Sequence, residues 1–125
     1  MQDRKLDIRG NAGQMRAITH LGGPAMVLAG PGSGKTFVIA ERVRYLIEGC
    51  GIDPSQILTI TFTKAAALEM KRRFDRLTKR RFPETAFGTF HSVFYEFLKR
   101  SNHSSSLESA PRLVTDKEKH RIMEL

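Results

Sequence analysis

Ala29-Gly30-Pro31-Gly32-Ser33-Gly34-Lys35-Thr36 is the stretch on which the fold of this chain turns. An apolar run, Ala25-Met26-Val27-Leu28, precedes it with the length and content of a buried strand. After it, Val38, Ile39, Val43, Leu46 and Ile47 recur at helical spacing. Strand, glycine-rich loop and helix in that order are the setting of a phosphate-binding loop. Gly30, Gly32 and Gly34 are expected to admit backbone conformations closed to larger residues and to let the main chain approach a phosphate. Successive N–H groups would then form an anion nest, reinforced by the positive end of the helix. Lys35 suits the β and γ phosphates of a nucleotide, and the Thr36 hydroxyl suits a magnesium ion. The full pattern, G-x-x-x-x-G-K-[ST], begins with glycine; here Ala29 stands first, which serves if that residue only ends the strand. A flexible Gly/Ser turn beside a chance Lys-Thr is the competing reading. It is the weaker one, because strand, loop, cation, hydroxyl and amphipathic helix agree.

The 125 residues allow one domain of ordinary size, and 40% hydrophobic residues suffice for a core. A formal charge of +8 admits polyanionic partners, although solubility alone also explains it. Cys50 is the single cysteine, which excludes an intramolecular disulfide and gives no support to a cysteine-based metal site. His20, His91, His103 and His120 show no ligand spacing. No apolar run approaches membrane-spanning length, and the opening Met1-Gln2-Asp3-Arg4-Lys5 lacks the apolar segment of a secretory signal. The expectation is a cytoplasmic protein with no membrane partner.

Asn11 is placed to cap a short helix over 11–18, with Met15 and Ile18 facing a core. Residues 56–62 read as a second strand and 85–89 as a third. A helix is expected over 64–81, with Ala65, Leu68, Phe74 and Leu77 as its apolar stripe and Phe82-Pro83 as its stop. Its other face carries Lys64, Lys71, Arg72, Arg73, Arg76, Lys79, Arg80 and Arg81 against Glu69 and Asp75, an excess that suits an anionic partner or a solvated face. A further helix is expected from Phe90 to about Arg100, then a serine-rich linker over 101–109. Arg112-Leu113-Val114 could be a short strand, and Thr115-Asp116-Lys117-Glu118 has the pattern of a capping box opening a last helix. Strands alternating with helices indicate an α/β fold with a parallel sheet flanked by helices.

Three stretches join the loop. Asn11-Ala12-Gly13-Gln14-Met15-Arg16-Ala17-Ile18 precedes the first expected strand, Thr61-Phe62-Thr63-Lys64-Ala65-Ala66-Ala67-Leu68-Glu69-Met70 follows the second, and Gly88-Thr89-Phe90-His91-Ser92 follows the third. In this order and spacing they resemble the N-terminal part of the UvrD/Rep (superfamily 1A) DNA helicases, over about residues 10–100. The resemblance implies a truncated RecA-like P-loop domain that takes ATP and Mg²⁺. It implies that Gln14 hydrogen-bonds the adenine, that Ala29, Gly30, Pro31, Gly32, Ser33, Gly34, Lys35 and Thr36 hold the triphosphate, and that Lys35 and Thr36 serve catalysis, with Thr36 on the metal. It assigns Thr61, Phe62 and Thr63, and Thr89, Phe90, His91 and Ser92, to a track for single-stranded DNA, where aromatics stack on bases and hydroxyls meet phosphates. Phe62 and Phe90 have core packing as the alternative, weighed equally for Phe90. His91 also suits a helix-start residue bonded to backbone.

The sequence departs from the family where Lys64 and Ala65 replace an Asn-Lys pair and where Phe37 follows Thr36. It shows no long apolar strand ending in the Asp-Glu pair that hydrolysis needs; the nearest stretch, Leu113-Val114-Thr115-Asp116, reads better as a helix cap. By this resemblance residues 1–100 open the first RecA-like domain, 101–125 lead into an inserted helical subdomain, and the missing partners are the Walker B strand and a second RecA-like domain. Two rivals remain: a stand-alone P-loop kinase or NTPase, and a basic DNA-binding module with a vestigial loop.

Overall fold

The computed structural model describes residues 6–102. The expected strand at 112–114 and the capping box at 115–118 lie outside the described residues, as does the 103–109 part of the linker. The order is α1 (Ala12–Thr19), α2 (Lys35–Arg44), a π turn (Tyr45–Gly49), a 3₁₀ turn (Pro54–Gln56), β1 (Leu58–Thr61), α3 (Lys64–Leu77), β2 (Ala86–Thr89) and α4 (Phe90–Asn102). The chain divides into two compact units, at Thr89 and Phe90, and α4 belongs to the second.

Asn11 caps α1 as its sequence position requires. Its side chain accepts from the Gln14 N–H while the Gln14 side chain accepts from the Asn11 N–H, a closed capping box. α2 runs into the π turn, where the Cys50 N–H reaches the Tyr45 carbonyl, and the chain then turns at Gly51. The Thr63 hydroxyl caps α3 by accepting from the Ala66 N–H at 3.1 Å.

β1 and β2 pair in parallel, from Leu58 with Ala86 to Thr61 with Thr89, and α3 is the crossover between them. The core lies where α2, the π turn and α3 meet this sheet: Val43, Ile47 and Phe74 are buried, with Ile57, Phe82 and Phe87 packed around them. Phe74 has no exposed surface, and its ring meets Phe87 at 5.4 Å between centroids. Burying that one side chain contributes roughly 1.5–3 kcal/mol, with about 0.5–1.5 more from the ring pair.

Two expectations fail in instructive ways. Residues 25–28 form no strand, and Met26, Val27 and Leu28 are exposed, because among the described residues no neighbouring strand offers them a hydrogen-bond ladder. The helix expected over 64–81 stops at Leu77. Lys79 and Arg80 both take left-handed backbone, φ 51° and 56°, which brings the Arg80 N–H onto the Asp75 carbonyl at 2.8 Å. For residues with a Cβ that conformation costs roughly 1–2 kcal/mol each. It turns the chain so that Phe82 packs against the core, and the Arg81 side chain then bonds the Thr78 carbonyl. The burial pattern of α3 shifts accordingly: Ala67 and Phe74 are buried, whereas Ala65 and Leu68 are exposed.

Candidate functional site

The phosphate-loop residues form a tight turn closed on one carbonyl. The Gly30 oxygen accepts from the Ser33 hydroxyl at 2.7 Å, the Ser33 N–H at 3.3 Å and the Lys35 ammonium at 2.9 Å. Gly32 (φ 73°) and Gly34 (φ 80°) occupy the left-handed region that favours glycine. Gly30 does not: its φ is not positive, and a Cβ there would meet nothing within 4 Å. The expectation that all three glycines serve the backbone is corrected to two. Gly30 faces open space, so its small size matters only to what approaches from outside. Ala29 and Pro31 are exposed, and Ala29 needs no glycine conformation, which accounts for the departure from the usual pattern.

Gly34 is the N-cap of α2 and contributes no side-chain bond. The N–H groups of Lys35, Thr36 and Phe37, in the first turn, have no intrahelical acceptor. They and the helix dipole make a donor array suited to an anion. Lys35 keeps two of its three donors beyond the bond to Gly30. Thr36 is half-buried, and its hydroxyl makes no hydrogen bond among the described residues. The residues present therefore fit a phosphate chain, and Thr36 supplies one oxygen ligand of the kind magnesium takes.

Gln14 does more than the sequence suggests. Beside its place in the capping box, its amide donates to the Ser33 carbonyl at 3.0 Å, tying α1 to the loop across 19 residues. A Cβ on Gly34 would lie 3.0 Å from the same amide nitrogen. One N–H and one oxygen lone pair of Gln14 remain for another partner. The other end of α1 is held by Arg42, which sequence reading missed and which has no motif to announce it. Its guanidinium donates to the carbonyls of Ala17, Ile18 and His20 at 2.9, 3.1 and 2.8 Å, the orphan acceptors of the α1 C-terminus. α1, residues 25–30 and α2 line a cleft of about 760 Å³, with Gln14, Ser33 and Lys35 among polar residues and Met26, Leu28, Val38 and Ile39 among apolar ones.

In the first unit, Thr61, Phe62, Thr63 and Thr89 sit at the strand ends. Thr61 and Thr89 are register partners, the last pair of the sheet, and Thr89 is buried. Phe62 follows β1 with 88% of its surface exposed, so it is not part of the core. Thr63 spends its hydroxyl oxygen on capping α3 and retains the proton to donate. Phe90, His91 and Ser92 form the exposed first turn of α4 in the second unit, with Phe90 45% exposed.

A family model described as the UvrD/REP helicase N-terminal domain matches residues 10–125. The chain belongs to this family. Among curated relatives, this UvrD/REP domain is 38% identical over 121 residues to a probable DNA helicase II homolog of Mycoplasma capricolum, covering 97% of the chain and 17% of that protein. It is 44% identical over 95 residues to the putative ATP-dependent DNA helicase YjcD of Bacillus subtilis, covering 74% of the chain and 12% of the relative. It is 37% identical over 110 residues to the ATP-dependent DNA helicase Rep of Escherichia coli, covering 87% and 16%. The chain thus spans about a sixth or less of the length of these relatives. Among the described residues of the UvrD/REP domain no helix is long and apolar enough to cross a membrane, and no group of three or more His, Cys, Asp or Glu residues could hold a metal ion.

Proposed function

We propose that this chain is the nucleotide cradle and part of the single-strand track of an ATP-dependent DNA helicase. The observation that carries the reading is the loop itself. Gly34 in left-handed backbone opens α2 without a side-chain cap, and Lys35 and Thr36 follow it at once with donors to spare. The names of the relatives, ATP-dependent DNA helicases, supply the substrate class. In this reading Gly32, Gly34, Lys35 and Thr36 hold the triphosphate of ATP, the Thr36 hydroxyl meets Mg²⁺, and Gln14 offers its remaining donor and acceptor to the adenine edge. In the intact protein, ATP hydrolysis would drive closure between two such domains and stepping along single-stranded DNA. Thr61, Phe62 and Thr63, with Thr89, Phe90, His91 and Ser92, contact single-stranded DNA, in repair or recombination. Residues 1–100 are the opening of the first RecA-like domain, and 101–125 lead towards an inserted subdomain. Walker B and the second RecA-like domain, which position water and stabilise the transition state, come from elsewhere in the intact protein.

Calorimetric titration of the chain with Mg-ATP tests this reading. Binding should be weak, because a partial cleft buries little of the ligand. Lys35→Ala should weaken it about tenfold or more, the equivalent of one charged hydrogen bond of roughly 1.5–3 kcal/mol. Equal binding by both proteins would remove Lys35 from the site.

A further inference from the structure

The basic residues of the α3 region do not all serve the strand ends. β1 and β2 are parallel and α3 is the crossover, so α3 begins beside the carboxyl ends of the strands and runs back to their amino ends. Its 14 residues span about 21 Å. Lys64 therefore lies near Phe62, while Arg72, Arg76, Lys79 and Arg80 gather towards the other edge of the sheet. These four, with Asp75, line one shallow cleft of about 730 Å³.

The cleft is strongly positive. All four cations are exposed, and none makes an ion pair or side-chain hydrogen bond among the described residues. By contrast Lys71, Arg44 and Arg81 each face a carboxylate. The charge of Asp75 is answered from outside the cleft by Lys71 at 3.0 Å. Arg72 and Arg76 stand one helical turn apart on a single face. Lys79 and Arg80 hold consecutive left-handed backbone, which asparagine or glycine would adopt more easily. Cations at a helix C-terminus can simply favour the dipole. That role does not call for long side chains at two strained positions beyond the helix end.

We propose that Arg72, Arg76, Lys79 and Arg80 form a second nucleic-acid contact, a phosphodiester-backbone site on the edge of the sheet remote from Phe62. No aromatic residue lines this cleft, so it offers phosphates counter-charges and offers bases no stacking platform. Recognition there is independent of sequence and of base exposure, which suits duplex as well as single strand. The site stands on charge and topology and does not depend on the assignment of Phe62 to the single-strand track.

The test uses the full chain and a variant that removes charge while easing the backbone: Arg72→Gln, Arg76→Gln, Lys79→Asn and Arg80→Gly together. Fluorescence anisotropy with a labelled random duplex and with oligothymidine is read as a function of salt. For four lost phosphate contacts the slope of log affinity against log salt should become shallower by roughly 3 on either probe, with the larger change on duplex. The melting temperature should hold or rise. A companion variant, Arg72→Lys, Arg76→Lys and Arg80→Lys with Lys79 unchanged, should restore the parent slope. Phe62→Ala, measured alongside, should weaken oligothymidine binding without changing the slope, so either assignment can fail while the other stands. An unchanged slope in the quadruple variant overturns the proposal. So does a quadruple variant that melts lower and is not rescued by Lys, which assigns the four cations to helix capping. So does a variant that loses binding to poly-glutamate while keeping the parent DNA slope, which makes the cleft a surface for acidic protein.

Discussion

Replacing Arg42 by methionine removes a guanidinium while keeping most of the apolar stem, so the loss reports on hydrogen bonds rather than on packing. The guanidinium holds three carbonyls at the end of α1 at 2.8–3.1 Å, and the residue is half-buried. A hydrogen bond to a charged group contributes roughly 1.5–3 kcal/mol. One nitrogen serves all three acceptors, and water can reach carbonyls at this depth, so the contributions do not add; the expected loss is about 2 kcal/mol. For a domain of this size that lowers the melting temperature by about 8 °C. The loss should also be local. α1 is otherwise held through Gln14 and the buried Ile18, so its amides should exchange with solvent about thirtyfold faster, while those of α3 change much less. Thermal melts and hydrogen exchange on the same sample decide the matter. A melting shift within about 2 °C, worth roughly 0.5 kcal/mol, together with unchanged α1 exchange, refutes the view that Arg42 anchors α1 to α2.

Three other outcomes follow from the same geometry. Gly34→Ala places a Cβ at φ 80° and 3.0 Å from the Gln14 amide, so it should destabilise by about 1–2 kcal/mol and weaken Mg-ATP binding; melts and calorimetry unchanged from the parent would contradict this. Phe62→Ala should leave the melting temperature unchanged, because the ring is 88% exposed. If the ring stacks on a base it should reduce oligothymidine affinity by roughly 1–3 kcal/mol, and a large drop in melting temperature would return Phe62 to the core. Coupled-enzyme assays should find ATP turnover at background with or without single-stranded DNA; a steady, DNA-stimulated rate abolished by Lys35→Ala would show a complete catalytic set within these residues.

Much of the local structure around the candidate site was legible because its residues act locally. Asn11 announces a helix start as an N-cap residue, and the glycine-rich run up to Lys35-Thr36 announces a turn that leads into a helix; the reciprocal bond from Gln14 is visible only in the structure. The strands over 58–61 and 86–89 were read to within two residues, since β-branched or aromatic runs bounded by breakers settle them. What sequence could not show depends on distant partners. Residues 25–28 read as a strand on their own apolar content, but a strand exists only with a ladder to pair with. Arg42 reaches backbone carbonyls 22 to 25 positions away, and carbonyls carry no sequence signal. The early end of α3 escaped for a related reason. Thr78, Lys79 and Arg80 include no glycine or proline, so nothing local marks the left-handed pair; the demand comes from bringing Phe82 onto Phe74, Val43 and Ile47.

The central claim is that the turn after Ala29 and the start of α2 bind the phosphates of ATP. Titrating the nitrogen-15-labelled chain with Mg-ATP and following its amide resonances tests this most directly. The account predicts that the largest shifts fall on Gly32, Gly34, Lys35, Thr36 and Phe37, with a smaller response at Gln14, and that Lys35→Ala suppresses them. Shifts concentrated instead on the cationic cleft at Arg72, Arg76, Lys79 and Arg80, or a loop response equal in Lys35→Ala and the parent, would contradict it.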